Sequence, residues 1–265
     1  MKKNSIEGYL QRIGFTAKPE VNLNTLAEIQ RLHTAAIPFE NLNPLLKLPV
    51  EISDNALYNK IVNSGRGGYC FENNLLLKAM LTKMGFSVRG VLGRAGVKEN
   101  SVGRTHIILL VTLNDKEYLV DVGYGGYVPT APLLFKPNII QQTPNENFRI
   151  RKNKDEYRLE IQLPGEWKRL YDFGLEPQLH IDFEVANWYT STNPNSKFTQ
   201  KLVVARSEPG IRYTLSGNLF SIHQVNKKPR KKILTTRAQL IKSLEEIFLI
   251  NLSGLPLRKL KFEGK

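Results

Sequence analysis

The only cysteine of the chain, Cys70, stands in "NSGRGGYCFENN", directly after two glycines and a tyrosine and at the start of a helix-like run. A buried thiol needs no such setting, because cysteine behaves as a small hydrophobe anywhere in a core. At a helix N-terminus the unpaired amides and the helix dipole favour thiolate over thiol, lowering a cysteine pKa from about 8.5 by one to several units. "RGGYC" therefore reads as a device for making a nucleophile, with glycines that let backbone and substrate approach the sulfur. Such a nucleophile needs a base and a group that orients the base. His106 in "GRTHIILLVTL" lies at the mouth of an apolar strand, and Asp121 in "EYLVDVGYGG" lies at the end of the next, before a glycine-rich turn.

Bringing the three residues together depends on strand register. A hairpin turning at Asn114-Asp115 sets Asp121 opposite Ile108, on the face of His106 and one diagonal step away. Diagonal neighbours have Cβ atoms roughly 7 to 8 Å apart, a gap that twist or a bulge can close to hydrogen-bond reach. Shifting the turn by one residue separates the pair. Spacing alone thus leaves a catalytic reading beside a structural one, in which His106 is a satisfied strand-end residue and Asp121 a turn former.

Three stretches must position these residues. The first, to about residue 85, reads helical: "NTLAEIQRLHTAAIPFEN" has Asn24 as its cap and Pro38 as its stop, and "SDNALYNKIVNSG" is capped by Ser53 or Asp54 and closed by Gly65. A third helix runs from about Cys70 with Leu75, Leu76, Ala79, Met80 and Leu81 on its buried side, and Gly85 ends it. From 86 to 185, short β-branched and aromatic runs separated by turn residues predict an antiparallel sheet or small barrel. The remainder mixes strands with one amphipathic helix, "RAQLIKSLEEIFLIN".

A hydrophobic fraction of 41% and a charged fraction of 23% are those of an ordinary globular chain. "MKKNSIEGYL" lacks the apolar run of a signal peptide, and no segment approaches the ~18 apolar residues of a membrane span, so a cytoplasmic protein is expected. One cysteine excludes an internal disulfide and a cysteine-based zinc site. His33, His106, His180 and His223 lack ligand spacing, so no metal is expected. The net charge of +14 is uneven: 14 Lys and Arg against 4 Asp and Glu from Lys201 onward give +10, leaving +4 for the rest. The densest run, "KKPRKK" from Lys227 to Lys232, reads either as a solvated hairpin turn or as a phosphate-contacting loop. No zinc-finger, homeodomain or RNP signature accompanies it, and a small phosphorylated ligand fits as well as nucleic acid.

"IPFENLNPLL", "RGGYCFENN", "TH" before an apolar strand, "YLVDVGYGG" and "NWYTSTNPNSKF" occur in the order and at about the spacing of the arylamine N-acetyltransferase family, which the sequence resembles over most of its length. The resemblance implies an α+β fold: an N-terminal helical bundle (1–85) carrying the nucleophile, a central antiparallel β-barrel (86–185) carrying His and Asp, and a C-terminal α/β lid (186–265). The triad within it is a cysteine-protease-like Cys-His-Asp arrangement. Cys70 would accept an acetyl group from acetyl-CoA, with His106 as base and Asp121 orienting it, and a ping-pong cycle would pass the group to an arylamine, hydrazine or hydroxylamine. By the same resemblance Phe39, Tyr69, Tyr124 and Phe198 line the acceptor cleft, while Gly103, Thr105, Gly125, Tyr189 and Asn195 meet the CoA. The Cys70 amide and a backbone amide within 103–105 would form the oxyanion hole. No permanently bound cofactor, nucleic-acid partner or membrane partner is expected, and the sequence does not specify the oligomeric state. An amide synthase, a transglutaminase-like enzyme or cysteine hydrolase, and a non-enzymatic anion-binding module are the rival readings.

Overall fold

In the computed structural model, which describes residues 5–96 and 103–262, helix-forming and strand-forming runs separate along the chain. Lys2, Lys3, Lys98, Glu99, Glu263 and Lys265, which enter the charge count, lie outside the described residues. The first elements are α1 (Ile6–Ile13), α2 (Leu23–Ala36), β1 (Phe39–Glu40), α3 (Leu42–Leu45), α4 (Asp54–Leu57) and α5 (Cys70–Lys83). The cap of α2 is Asn22, whose side chain accepts from the Thr25 amide at 2.8 Å; Asn24, expected in that role, already lies in the first turn. Ser53 caps α4, which widens into a π-turn over Tyr58–Asn63 and closes at Gly65 with φ +63°.

Next come β2 (Ser87–Ala95), β3 (His106–Leu113), β4 (Lys116–Val120), β5 (Leu133–Leu134), β6 (Ile140–Gln142), β7 (Asn147–Asn153), β8 (Glu156–Leu163) and β9 (Glu166–Phe173). They form one antiparallel sheet in the order β5-β4-β3-β2-β9-β8-β7-β6, curled into a nearly closed barrel. The last part holds α6 (His180–Thr192), α7 (Lys197–Gln200), β10 (Val203–Glu208), β11 (Ile211–Ser216), β12 (Leu219–Gln224), β13 (Arg230–Ile233) and α8 (Arg237–Lys242). Its strands form a second antiparallel sheet, β1-β10-β11-β12-β13.

The β3–β4 hairpin turns where its residues dictate. Asn114 and Asp115 take φ of +46° and +59°, the left-handed pair of a tight two-residue hairpin, and Leu113 pairs with Lys116. That register runs to Leu109 opposite Val120, one step short of Asp121.

Three elements differ from the sequence reading. β1 is a strand that "IPFE" does not reveal, because two residues show no alternation; its partner β10 (Phe39↔Ala205) fixes it. Helix α6 begins at His180, inside the stretch read as β-rich to 185, and hides because both its faces are apolar: Phe183 and Ala186 are buried, whereas Ile181, Val185 and Trp188 are exposed. The C-terminal helix is α only to Lys242 and continues as a π-turn, Ser243–Ile247. Leu240, Leu244 and Phe248 are all buried. A four-residue spacing drifts by about 40° per step round an α-helix, and the wider turn takes the drift back.

Three apolar clusters hold the fold together. One joins the N-terminal helices to β3 through Leu76, Leu77, Ile107, Leu109 and Val111, and it includes Cys70. A second fills the barrel, and a third lies between the five-stranded sheet and the C-terminal helical turns. No helix among the described residues is long and apolar enough to cross a membrane.

Candidate active site

Helix α5 starts at Cys70 because the residues before it are held extended. Tyr69 has φ −94° and ψ −164°, and its amide donates to the Glu72 carboxylate at 3.1 Å. Glu72 is buried and receives Lys60 Nζ at 2.6 Å. The glycines of "RGGYC" serve this docking rather than access to the sulfur. A Cβ on Gly67 would stand 2.1 Å from the Pro38 carbonyl oxygen, and one on Gly68 would stand 2.5 Å from the Glu72 Cβ. The Gly68 amide donates to Pro38 O at 3.2 Å, and its carbonyl accepts from the Glu40 amide at 3.0 Å, tying the approach to α5 onto β1. The close backbone approach to Cys70 comes from Gly123, where a Cβ would lie 2.7 Å from the Cys70 Cα.

His106 and Asp121 meet beneath this helix end. His106 Nε2 lies 2.7 Å from Asp121 Oδ2, and both side chains are buried. The diagonal strand gap is thus closed, since β4 has ended and the chain bends at "DVGYGG". The other Asp121 oxygen accepts from Asn74 Nδ2 at 2.9 Å and from the Gly123 amide at 2.8 Å. Asn74 also donates to Ile107 O at 2.8 Å and accepts from the Val122 amide at 2.9 Å, which fixes the carboxylate between helix and hairpin. Burial opposes a charge on His106, but the Asp121 charge, the hydrogen bond to it and a hydrogen bond from Cys70 outweigh burial and raise the imidazole to about 9. Asp121 shifts the opposite way: burial works against its ionisation, and His106, Asn74 and the Gly123 amide together hold it below the usual carboxylate value. With Nε2 engaged by Asp121, Nδ1 is the ring nitrogen left for Cys70. The Cys70 sulfur also lies 3.6 Å from the Thr105 carbonyl oxygen.

Two groups of aromatic rings flank the three residues. The Phe198 ring lies 5.8 Å from Phe39 and 5.7 Å from Tyr69, forming a wall beside Cys70. Tyr69 bonds through its hydroxyl to the Asn187 side chain. Gly125, with φ +86°, lies against the Phe39 ring. Tyr124 does not join that wall: it packs on His106 at 5.3 Å with Tyr171, itself 4.8 Å from His106, and donates its hydroxyl to Leu170 O. The Thr105 amide bonds Gly103 O at 2.9 Å and is thereby already engaged. Tyr189 is exposed near the end of α6, and Asn195 is exposed in the loop before α7. The sequence reading missed Asn74, Gly123, Asn187 and Tyr171. Only Asn74 left a trace, four residues after Cys70 and hence on its side of the helix.

A family model described as N-acetyltransferase matches residues 22–256. An arylamine N-acetyltransferase of Mycolicibacterium smegmatis is 39% identical over 255 residues, covering 94% of this chain and 92% of that protein. The chain belongs to the arylamine N-acetyltransferase family. A solved M. smegmatis structure of the family superposes with a TM-score of 0.93 at 37% identity, covering 98% of this chain and 99% of the other. A Mycobacterium marinum arylamine N-acetyltransferase solved in complex with CoA superposes with a TM-score of 0.90 at 36% identity, with 94% of each chain covered. As a member of this family the protein is an acyltransferase, and the reading as a non-enzymatic anion-binding module is set aside.

Proposed function

We propose that the protein transfers the acetyl group of acetyl-CoA to aromatic amines, hydrazines and hydroxylamines through an acetyl-cysteine at Cys70. The observation that carries this reading is the buried His106, bonded on one side to Asp121 and on the other to Cys70 and raised to about 9. An imidazole that basic takes the thiol proton, giving a thiolate–imidazolium pair at neutral pH. The thiolate attacks the thioester carbonyl and the carbon–sulfur bond to CoA breaks. CoA leaves as its thiol, with the proton returned by His106. The amine nitrogen then attacks the acetyl-cysteine, the amide bond forms, the bond to Cys70 breaks, and His106 takes the proton lost by nitrogen. The Cys70 amide, in the first turn of α5 where no intrahelical acceptor exists, is the donor for the oxyanion.

Coenzyme A binding by the M. marinum relative supports the same donor here, and the second sheet offers a route for its length. Phe39, Ala205, Thr214, Ser221 and Lys231 stand directly opposite one another across β1, β10, β11, β12 and β13. Cross-strand partners share one face. That row leads from the wall beside Cys70 to the exposed basic edge strand, so the neutral thioester lies at one end and the phosphates at the other. Intact-mass and peptide mapping after incubation with acetyl-CoA and no amine tests the mechanism: one acetyl group on Cys70 is expected, and its absence, or an adduct on lysine, sinks it.

A further inference from the structure

The chain leaves β4 at Val120, passes Asp121, Gly123, Tyr124 and Gly125, and enters β5 at Leu133. Strands β4 and β5 are paired neighbours, Leu119 opposite Leu133, so the excursion departs from and returns to one place, as the ends of a compact Ω-loop do. It touches the candidate site repeatedly. Asp121 bonds His106, the Gly123 backbone meets Cys70, the Tyr124 ring packs on His106, and Gly125 lies against Phe39. Inside the loop the Gly123 amide donates to Asp121 Oδ1 and the Val128 amide to Gly125 O, but neither bond joins its two ends.

The ends are joined from outside. Gln30, on α2, donates through Nε2 to Pro129 O at 2.8 Å and to Asp121 O at 3.4 Å. It is fully buried, like its helix neighbours Leu26 and Ile29. Burying an amide costs stability unless its polar atoms are paired, and Gln30 Oε1 has no hydrogen-bond partner among the described residues. The donor end is therefore what the position uses. Two carbonyl oxygens that converge on one atom require a group with two hydrogens, which the NH2 of a carboxamide supplies. Turning the amide over would set an oxygen against two oxygens, so its orientation is fixed.

We infer that Gln30 is a positioning residue for the Cys70, His106 and Asp121 group. By fastening the neck of the 121–129 loop to α2, it holds Asp121 under His106 and the Gly123 backbone against Cys70. Its effect reaches the sulfur only through that loop. The catalytic meaning of this role rests on the acyl-transfer reading above.

The test orders side chains of similar length by the donors they offer. Glutamine has two, Gln30→Glu has one, because a buried carboxyl facing two carbonyl oxygens keeps its proton, and Gln30→Met has none. Hydrogen–deuterium exchange of the 121–129 segment, Cys70 alkylation by iodoacetamide at neutral pH, and Cys70 acetylation by acetyl-CoA without amine are measured on each folded protein. Exchange should quicken and both Cys70 rates should fall in the order glutamine, glutamate, methionine. Acetylation should drop about ten- to hundredfold in Gln30→Met, the scale set by displacing a reacting group by roughly 1 Å. Faster exchange with unchanged Cys70 rates would make the amide a structural tie alone and overturn the inference, and unchanged exchange would overturn it too. Should Gln30→Met not fold, Gln30→Glu decides between the same outcomes. Wild-type Cys70 that alkylates readily yet takes no acetyl group would overturn the acyl-transfer reading instead, while alkylation and exchange still judge Gln30.

Discussion

Replacing Asp121 by asparagine preserves volume and removes one negative charge from beneath the nucleophile. The oxygen facing Asn74 Nδ2 and the Gly123 amide must remain an oxygen, since both neighbours are donors. The new NH2 therefore points at His106 Nε2, where only a lone pair can receive it. That forces the imidazole proton onto Nδ1, the atom that has to accept the proton of Cys70. The charge effect acts in the same direction. His106 stands at about 9 against an ordinary 6.5, a difference of about 2.5, or on the order of 3 kcal/mol at 1.36 kcal/mol per unit. Without the carboxylate, only Cys70 is left to offset burial, and the imidazole falls. At pH 7 kcat/KM should drop at least ~100-fold, or ~2.7 kcal/mol.

The pH dependence carries a sign. A histidine raised by folding lends stability that is complete below about 6.5 and is lost as pH climbs through about 9, whereas the lowered Asp121 lends stability above about 3.8 that disappears only below its depressed value. Alkylation of Cys70 by iodoacetamide, followed by mass spectrometry against pH, reads the thiolate directly. At neutral pH wild type should react faster than Asp121→Asn, because in the variant His106 Nδ1 no longer takes the thiol proton. Retention of more than about a tenth of the rate, a deficit under ~1.4 kcal/mol, together with an unchanged alkylation profile, would refute the reasoning.

Gly123→Ala should cost about 1 to 3 kcal/mol of stability and lower turnover, because the new methyl would lie 2.7 Å from the Cys70 Cα and 2.9 Å from its carbonyl oxygen; an unchanged thermal midpoint and rate would show that the backbones do not meet there. Raising ionic strength should weaken use of acetyl-CoA, through screening over about 8 Å at 0.15 M, yet leave p-nitrophenyl acetate, an uncharged donor, nearly unaffected. Reversing Lys227, Lys228 and Lys231 together should raise the KM for acetyl-CoA alone, and equal salt sensitivity of the two donors would return the basic run to a solvated hairpin.

What the sequence disclosed was local. Asn114-Asp115 between two β-branched runs specifies one hairpin and one register, and that register places Asp121 within reach of His106. Two glycines ahead of Cys70 mark a helix start, although packing against Pro38 and Glu72 is what requires them. The hidden parts are those whose cause lies far along the chain. Asn74 looks like any polar helix residue until Asp121 is folded beneath it, 47 positions later. β1 is a strand only because β10 pairs with it, and Tyr124 could not be assigned to His106 rather than to the Phe198 wall before the loop after Asp121 had a path.

The seam between β1 and β10 also dictates when this protein can become reactive. Asn41, next to β1, is bonded to Phe198, Lys201 and Val203 at separations of 157, 160 and 162 residues, and Arg206 donates to Ala35 across 171. Contacts of such range close late, because the loop entropy between them must be overcome first. A ribosome releases the N-terminal helices and their thiol long before it makes the segment that completes the wall beside it. The nascent chain thus carries the thiol through most of its synthesis without the ring of Phe198 that completes the wall beside it. Truncation anywhere before β10 would leave a thiol without a workplace, and the last quarter of the chain acts as the step that commissions the enzyme.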